Sequence, residues 1–347
     1  MAESFVNTRP RIKVGGQEKA AMAEAILTLD VVMPGEGMDT AELRLVNWGS
    51  SSGSESSYLF EDVNLGDDLE IEMGGETKQR VFKGQITGFE ENYGEGAPHL
   101  VLLAEDALHK LARYRRSRVF ESVSVDSLIS SLAGDAGLAT DVNASSLVRT
   151  FHQLNESDLA LIRRVLAPFN IVPRLVDGNT LRAKPPEPVS SPPEINPAEG
   201  GVRIRIMADL NRRASEVKVA GYDPHNGQAV SGQAQDLRPS ASGTTAGGLL
   251  GQTGWEGTMY LPIPFASVQS EADAYAQAGF NRRNSGFVHG DITCEGDPSL
   301  AAGGQISLAG VADRLRGTYG ITHCVHHYDL SRGYETFLRV ARPDLAS

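Results

Sequence analysis

Gly66-Asp67-Asp68-Leu69-Glu70-Ile71, followed by Gly84-Gln85-Ile86-Thr87, sets a turn glycine before an alternating strand and a second glycine before an Ile-Thr strand. The same order returns near the end of the chain, in Gly303-Gly304-Gln305-Ile306-Ser307-Leu308 and then Gly320-Ile321-Thr322. A turn and a last apolar strand ending in an acidic residue follow each pair, at 100–106 and at 336–344. Period-two alternation places Leu69 with Ile71, and Ile306 with Leu308, on one face, the pattern of half-buried antiparallel strands. Any two antiparallel meanders share this grammar, so the likeness fits either a duplication or two independent meanders. A duplication predicts two similar barrels or sandwiches with a different module between them.

Outward from these strands, 26–32 and 43–46 read as two more, separated by the turn-rich Pro34-Gly35-Glu36-Gly37. The Ser/Gly run 49–57 reads as a loop, and strands follow at 68–73, 80–89 and 99–105, so that 1–117 forms one antiparallel β domain. From 118 the period changes. Ser124 caps a helix carrying Leu128, Ile129 and Leu132, which Gly134 and Gly137 end. A second helix is expected from Asn155, with Asp158 as a capping-box-like partner and Pro168 as its breaker. Strands 171–176 and 180–183 turn about Asp177-Gly178 and close a small α/β domain, 118–184. Residues 185–200 read as a Pro-rich linker. The remaining 201–347 is a second β domain, with strands at 202–207 and 216–220, a mobile Gly/Ser-rich loop at 227–256, a helix at 270–283 and strands over 287–342.

At 347 residues the chain should hold two or three compact domains. Its 37 glycines and 17 prolines fit a turn-rich β protein. A formal charge of −12 argues against a partner held by phosphate neutralisation. Cys294 and Cys324 are the two cysteines, far apart and outside any CxxC spacing, so a disulfide framework is not expected. The start, Met1-Ala2-Glu3-Ser4-Phe5, lacks a basic and an apolar signal region, and no run of about 18 apolar residues occurs. The chain is therefore expected to stay in the cytoplasm, or to leave by a route needing no signal peptide.

The search for chemistry returns no site. Gly49-Ser50-Ser51-Ser52-Gly53 fits a nucleophile elbow in letters, but Ser54-Glu55-Ser56-Ser57 cannot start the helix that an elbow requires. His323, Cys324, His326 and His327 are dense enough to ligate a metal. On one strand, however, His323 and His327 share one face while Cys324 and His326 share the other. Lys110, Arg113, Arg115, Arg116 and Arg118, with His109 and Tyr114, form the one basic cluster, which reads as a salt-bridged interdomain segment. The carboxylate pairs Asp67-Asp68, Glu90-Glu91 and Glu105-Asp106 are sequence neighbours that point to opposite faces of a strand. No catalytic residue, metal ligand or cofactor-binding residue is therefore assigned.

Several segments nevertheless carry a likeness: Val81-Phe82-Lys83-Gly84-Gln85-Ile86-Thr87-Gly88-Phe89 with Ala104-Glu105-Asp106, and His152-Gln153-Leu154-Asn155-Glu156-Ser157-Asp158-Leu159. The Ala-rich stretch 271–283, Cys294-Glu295-Gly296-Asp297-Pro298-Ser299-Leu300 and Gly317-Thr318-Tyr319-Gly320-Ile321-Thr322 extend it. In order and spacing, over about 10–342, the chain resembles the phage late control protein D family, baseplate hubs related to the N-terminal part of VgrG spikes. The resemblance implies a β-rich α+β fold with two tube-protein-like antiparallel β-barrel domains, 1–117 and 201–347, and an intervening small α/β domain. It implies a non-catalytic homotrimer that adapts a hexameric inner tube to a trimeric spike, with baseplate wedge and tape-measure proteins as further partners. It implies no membrane, no specific nucleic acid and no cofactor. The protein would be assembled in the bacterial cytoplasm and reside in the baseplate of a virion or contractile injection particle. Because relatives continue into a spike and this chain stops at Ser347, the spike is expected on a separate chain. The Asn155–Asp158 motif would be a helix cap. A tail-associated cell-wall hydrolase and a glycan- or receptor-binding tail protein are the alternatives.

Overall fold

A computed structural model describes residues 8–50, 55–94 and 96–346. Strands β1 (Arg11–Val14) and β2 (Gln17–Glu18) turn about Gly15 and Gly16, and a short helix α1 (Ala20–Ala25) leads into β3 (Ile26–Met33). Then come β4 (Thr40–Val46), β5 (Asp68–Met73), β6 (Gln79–Asn92) and β7 (His99–Asp106). Alternation decides which face packs. Ala41, Leu43 and Leu45 of β4 are buried while Glu42 and Arg44 stand in solvent. Each fully buried Leu or Ile of this kind stabilises the fold by about 1.5–3 kcal/mol.

A module with its own core follows: α2 (His109–Ala112), β8 (Arg115–Ser124), α3 (Val125–Asp135), β9 (Ala139–Val142), β10 (Val148–Ser157), α4 (Asp158–Leu166), β11 (Arg174–Val176) and β12 (Thr180–Ala183). Leu128, Ile129 and Leu132 of α3 pack with Leu159, Ile162 and Leu166 of α4. Ser124 caps α3 as expected, its hydroxyl accepting from the Ser127 amide. Asp177 and Gly178 both take positive φ in the β11–β12 turn. The second helix departs from expectation. The chain is still strand at Asn155, whose φ is +50°, and α4 begins at Asp158 with Ser157 as its cap. The Pro-rich stretch 185–200 is not linker throughout: β13 (Glu194–Ile195) pairs with a strand near the C-terminus.

After β14 (Arg203–Ala208) come β15 (Glu216–Asp223), β16 (Gln228–Ala234), β17 (Thr244–Thr245), α5 (Ala246–Thr253), β18 (Thr258–Ala266) and α6 (Gln269–Asn284); β15, β16, β18 and α6 form a third cored unit, while Ala246 of α5 packs on the core of the large sheet. The range 227–256 is thus two strands and a helix with their connections, not a mobile loop. Thr245 caps α5, and Val230 and Ala234 of β16 are buried against α6. Gly232 allows that approach, since a Cβ there would stand 2.0 Å from the Ala272 carbonyl oxygen. The chain ends with β19 (Val288–Glu295), β20 (Gln305–Leu308), β21 (Gly317–Asp329), β22 (Gly333–Arg342) and β23 (Asp344–Leu345).

Among the described residues, thirteen strands from the two ends of the chain form one sheet around one core. Its path runs β14-β19-β22-β21-β3-β4-β7-β6-β5-β1-β2, with β20 on β21 and β13 on β20. The duplication is visible in this path. Strands β5-β6-β7-β4-β3 neighbour one another just as β20-β21-β22-β19-β14 do, and both sets follow in the same chain order. The match extends to single bonds. The Gly66 amide donates to Ile86 O at 2.8 Å and Gly303 to Ile321 O at 2.7 Å; the Ile86 amide donates to Asp67 O, and Ile321 to Gly304 O, each at 2.9 Å. A bulge follows Ile86 against β7 and Ile321 against β22. At both bulges a threonine hydroxyl returns to the facing strand, Thr87 to Leu103 O and Thr322 to Arg339 O. The third unit sits where the first copy has only the turn between β3 and β4.

Candidate assembly interface

The two copies meet where β21 pairs antiparallel with β3, Cys324 opposite Met33 through Asp329 opposite Thr28. On the inner face of this joint Cys324, His326 and Tyr328 are buried. His326 is fully enclosed: Nδ1 lies 2.8 Å from the Tyr334 hydroxyl and 3.4 Å from that of Thr336, and Nε2 lies 3.6 Å from Cys324 Sγ. Burial pulls its pKa down to about 4, so the ring is neutral at pH 7. Burial also pushes the Cys294 thiol up to about 11, and both cysteines are free. On the outer face His327 stands between two carboxylates, Nδ1 at 2.7 Å from Asp30 and Nε2 at 3.0 Å from Asp329. Burial opposes its charge, but the hydrogen bonds to Asp30 and Asp329 outweigh it and hold the imidazole above its ordinary pKa. The four candidate metal ligands are therefore divided between two faces, as alternation requires. No group of three metal-ligating side chains converges among the described residues.

The outer face is mixed in charge. Glu335, His327, Asp30 and Glu42 stand in one cross-strand row, each opposite the next. Arg339 faces Asp291 at 3.6 Å. At the first edge Lys13 bridges Glu70, at 3.0 Å, and Glu72.

The basic cluster is largely consumed by the Gln153–Asp158 segment. Gln153, fully buried, donates its amide to Glu156 O at 2.9 Å and to Asp158 Oδ1 at 2.8 Å, and its Oε1 accepts from Arg118 Nε at 2.9 Å. Arg118 also meets Asp158 at 2.5 Å, and Arg116 stands 3.8 Å from the same carboxylate. Arg115 donates to Asn155 O, and Ser117 Oγ accepts the Asn155 amide. The motif is a polar lock that bends strand β10 into helix α4, rather than a cap centred on Asn155. His109 reaches from this module to Gln85 of the sheet at 3.0 Å, while Lys110, Arg113 and Tyr114 are exposed.

Of the carboxylate neighbours, Asp106 is buried while Glu105 turns outward, Asp67 and Asp68 serve the turn before β5, and Glu90 and Glu91 are exposed on β6. One pair was not legible as a motif. Asp106 Oδ2 accepts the Asp39 amide at 2.9 Å, so two carboxylates far apart in sequence converge on a 320 Å³ cavity with Arg174 between the sheet and the second module. Burial pushes Asp39 up to about 7, the Asp106 charge adding to it and Arg174 opposing it. Burial likewise raises Asp106 to about 6, against the hydrogen bonds from the Asp39 and Leu108 amides. Gly49 bridges to Ser57, and Ser51, Ser52 and Gly53 lie outside the described residues.

A 920 Å³ cleft separates the second and third units, lined by Phe151, Leu154, Phe169, Ile263 and Phe265. At its base Arg149 meets Glu271 at 2.5 Å, Glu271 accepts from Ser267 and Tyr275, and the Phe169 and Tyr275 rings pack edge to face. Glu271, in the first turn of α6, is an interior anchor. No helix among the described residues is long and apolar enough to cross a membrane.

Residues 6–329 match the family model for the Alg8 N-terminal domain. No curated protein matches the sequence. Among solved structures, the 43 kDa tail protein of prophage MuSo2 from Shewanella oneidensis is similar at 12% identity with a TM-score of 0.72, over 97% of this chain and 99% of its own. A tail protein from Neisseria meningitidis MC58 is similar at 15% identity and a TM-score of 0.66, over 98% and 99%. An E. coli component of the type VI secretion system follows at 13% identity and 0.52, over 96% of this chain and 76% of its own. At these identities the likeness is one of fold.

Proposed function

The chain belongs to the Alg8 N-terminal domain family, and from its likeness in fold to phage tail and type VI secretion proteins we propose that it is a structural baseplate hub of a phage tail or contractile injection system. In this reading three copies close into a ring around an axial channel. Each chain supplies two tube-like units, so six units meet a hexameric inner tube on one side, and threefold symmetry meets a trimeric spike on the other. Wedge and tape-measure proteins are further neighbours. The hub works by shape and charge, without a catalytic residue or cofactor.

The observation that carries this reading is the bond-for-bond repeat. A chain that presents the same five-strand unit twice in one sheet turns a trimer into a pseudo-sixfold object, which relieves a mismatch between sixfold and threefold partners. The mixed charge of the outer sheet face suits a channel wall that does not retain cargo of either sign.

The test is co-expression with the tube and spike chains of a phage tail or injection system from the same genome, followed by light scattering and imaging of the purified complex. A ring of three copies with an axial hole, seated between tube and spike, is expected. A chain that stays monomeric in the presence of both partners sinks the hub reading, as does a peripheral position on labelled particles.

A further inference from the structure

The internal repeat compares a joint that is filled with one that is open. Beyond Ile321, β21 continues along β22 on one side and pairs with β3 on the other, from Cys324 to Asp329. Beyond Ile86, β6 continues along β7 in the same way, but among the described residues no strand pairs with its other side. The counterpart of β3 in the second copy is β14, and β14 ends the sheet with one side unpaired. The open edge of β6 and the open edge of β14 are thus the two halves of the joint that β21 and β3 make within the chain.

Burial follows the same correspondence. Counting on from Ile86 and Ile321, Phe89 matches Cys324, Asn92 matches His327 and Tyr93 matches Tyr328. Cys324 and Tyr328 are 0% and 4% exposed, whereas Phe89 and Tyr93 are 51% and 60% exposed. Across the joint, Leu29, Val31 and Met33 are buried, while their counterparts Ile204 and Ile206 are half-buried and Ala208 is exposed. Apolar side chains at joint positions are in solvent where the second strand is lacking.

We infer that β14 of one chain pairs antiparallel with residues 89–94 of a second copy, in the register that β3 and β21 show: Phe89 opposite Ala208, Glu90 opposite Met207, Asn92 opposite Arg205 and Gly94 opposite Arg203. The inference rests on the ring reading above and adds to it the edge, the partner strand and the register. Three features fit a second copy as the occupant. The two open edges have matching lengths, six residues of β14 and six of β6 beyond Ile86 (87–92), with Tyr93 and Gly94 carrying the register just past the end of β6. In this register Phe89 and Tyr93 fall on the face of Ile206 and Ile204, and the exposed area of the two rings is covered on pairing, with Glu91, which accepts from the Tyr93 hydroxyl, opposite Ile206 between them. On the opposite face Glu90 lies diagonal to Arg205, within the reach of cross-strand pairs of opposite charge.

The experiment mixes two variants of the full chain, each with one added cysteine, Asn92→Cys and Arg205→Cys, under oxidising conditions with the spike chain present. Cys294 and Cys324 are buried and remain as internal controls. The inference expects a reducible chain-to-chain bond in the mixture and little in either variant alone, with Asn92→Cys mixed with Arg203→Cys, two residues out of register, at least tenfold weaker. As a measurement free of substitutions, hydrogen exchange of residues 87–94 and 203–208 should slow on assembly by a hundredfold or more. A trimer by light scattering that shows neither the in-register bond nor the protection overturns the register and leaves the hub reading standing. A chain that is monomeric in every mixture overturns both.

Discussion

Asp39 and Asp106 illustrate a cost that the fold accepts at a junction. An acid whose pKa rises on folding stabilises the native state less as pH climbs from its unfolded value, 3.8 for Asp39, to the folded one, about 7. Asp39→Asn removes that dependence, so the variant should gain on the natural chain between pH 4 and 7 and hold a gain on the order of 2–4 kcal/mol at pH 8. Urea unfolding at pH 5 and pH 8 measures it, and an equal difference at both values contradicts the assignment. The Gln153–Asp158 lock is a second residue-scale test. Asp158→Ala leaves buried Gln153 and the Arg118 guanidinium without their shared acceptor and should cost on the order of 3 kcal/mol. Asp158→Asn keeps one acceptor oxygen and should lose less, and identical losses would argue against the lock. The letters of this motif could be read in the sequence. Its geometry could not, because the left-handed turn at Asn155 and the partners Arg115, Ser117 and Arg118 come from a strand some forty residues earlier.

Strands were legible and their partners were not. Alternation located β3 to β7 and marked segments of β20 to β22, because each buries one face, while β19 was placed only within a block of strands over 287–342. Strand β16 was hidden because its inward positions are Val230, Gly232 and Ala234, small residues chosen for close approach to α6 and carrying little apolar signal. Helix α5 was hidden likewise by glycines at 247, 248 and 251, although Thr245 caps it and Leu250 is buried. At the same scale, His327 ties β21 to β3. A histidine whose folded pKa is raised contributes stability that is whole below the unfolded pKa and is lost as pH rises through the folded one. His327→Gln should therefore destabilise the sheet more at pH 5.5 than at pH 8.5, with the difference between the two read from chemical denaturation. A loss that does not vary with pH would mean that the imidazolium does not hold this joint.

The duplication was legible at the scale of the whole molecule as glycine-strand grammar at 66–106 and 303–344, and the chain order of five strands in each copy bears it out. What spacing could not show is that the two ends share one sheet and one core, because that follows from pairing between residues almost 300 apart. Nor could it show that the third unit fills the place of a short turn, since an insertion at a hairpin leaves the flanking strands in register. The pairing of β3 with β21 has a consequence for how the chain is made. A ribosome adding about 5–20 residues per second extrudes β3 roughly 15–60 s before its partner, and for that interval an apolar edge bearing Val31 and Val32 is uncovered. The middle of the finished sheet is therefore among the late seams to close during translation, ahead only of the pairings made by β22 and β23. Until it closes, the nascent chain depends on slow encounter or on chaperones to keep that edge from joining the wrong strand.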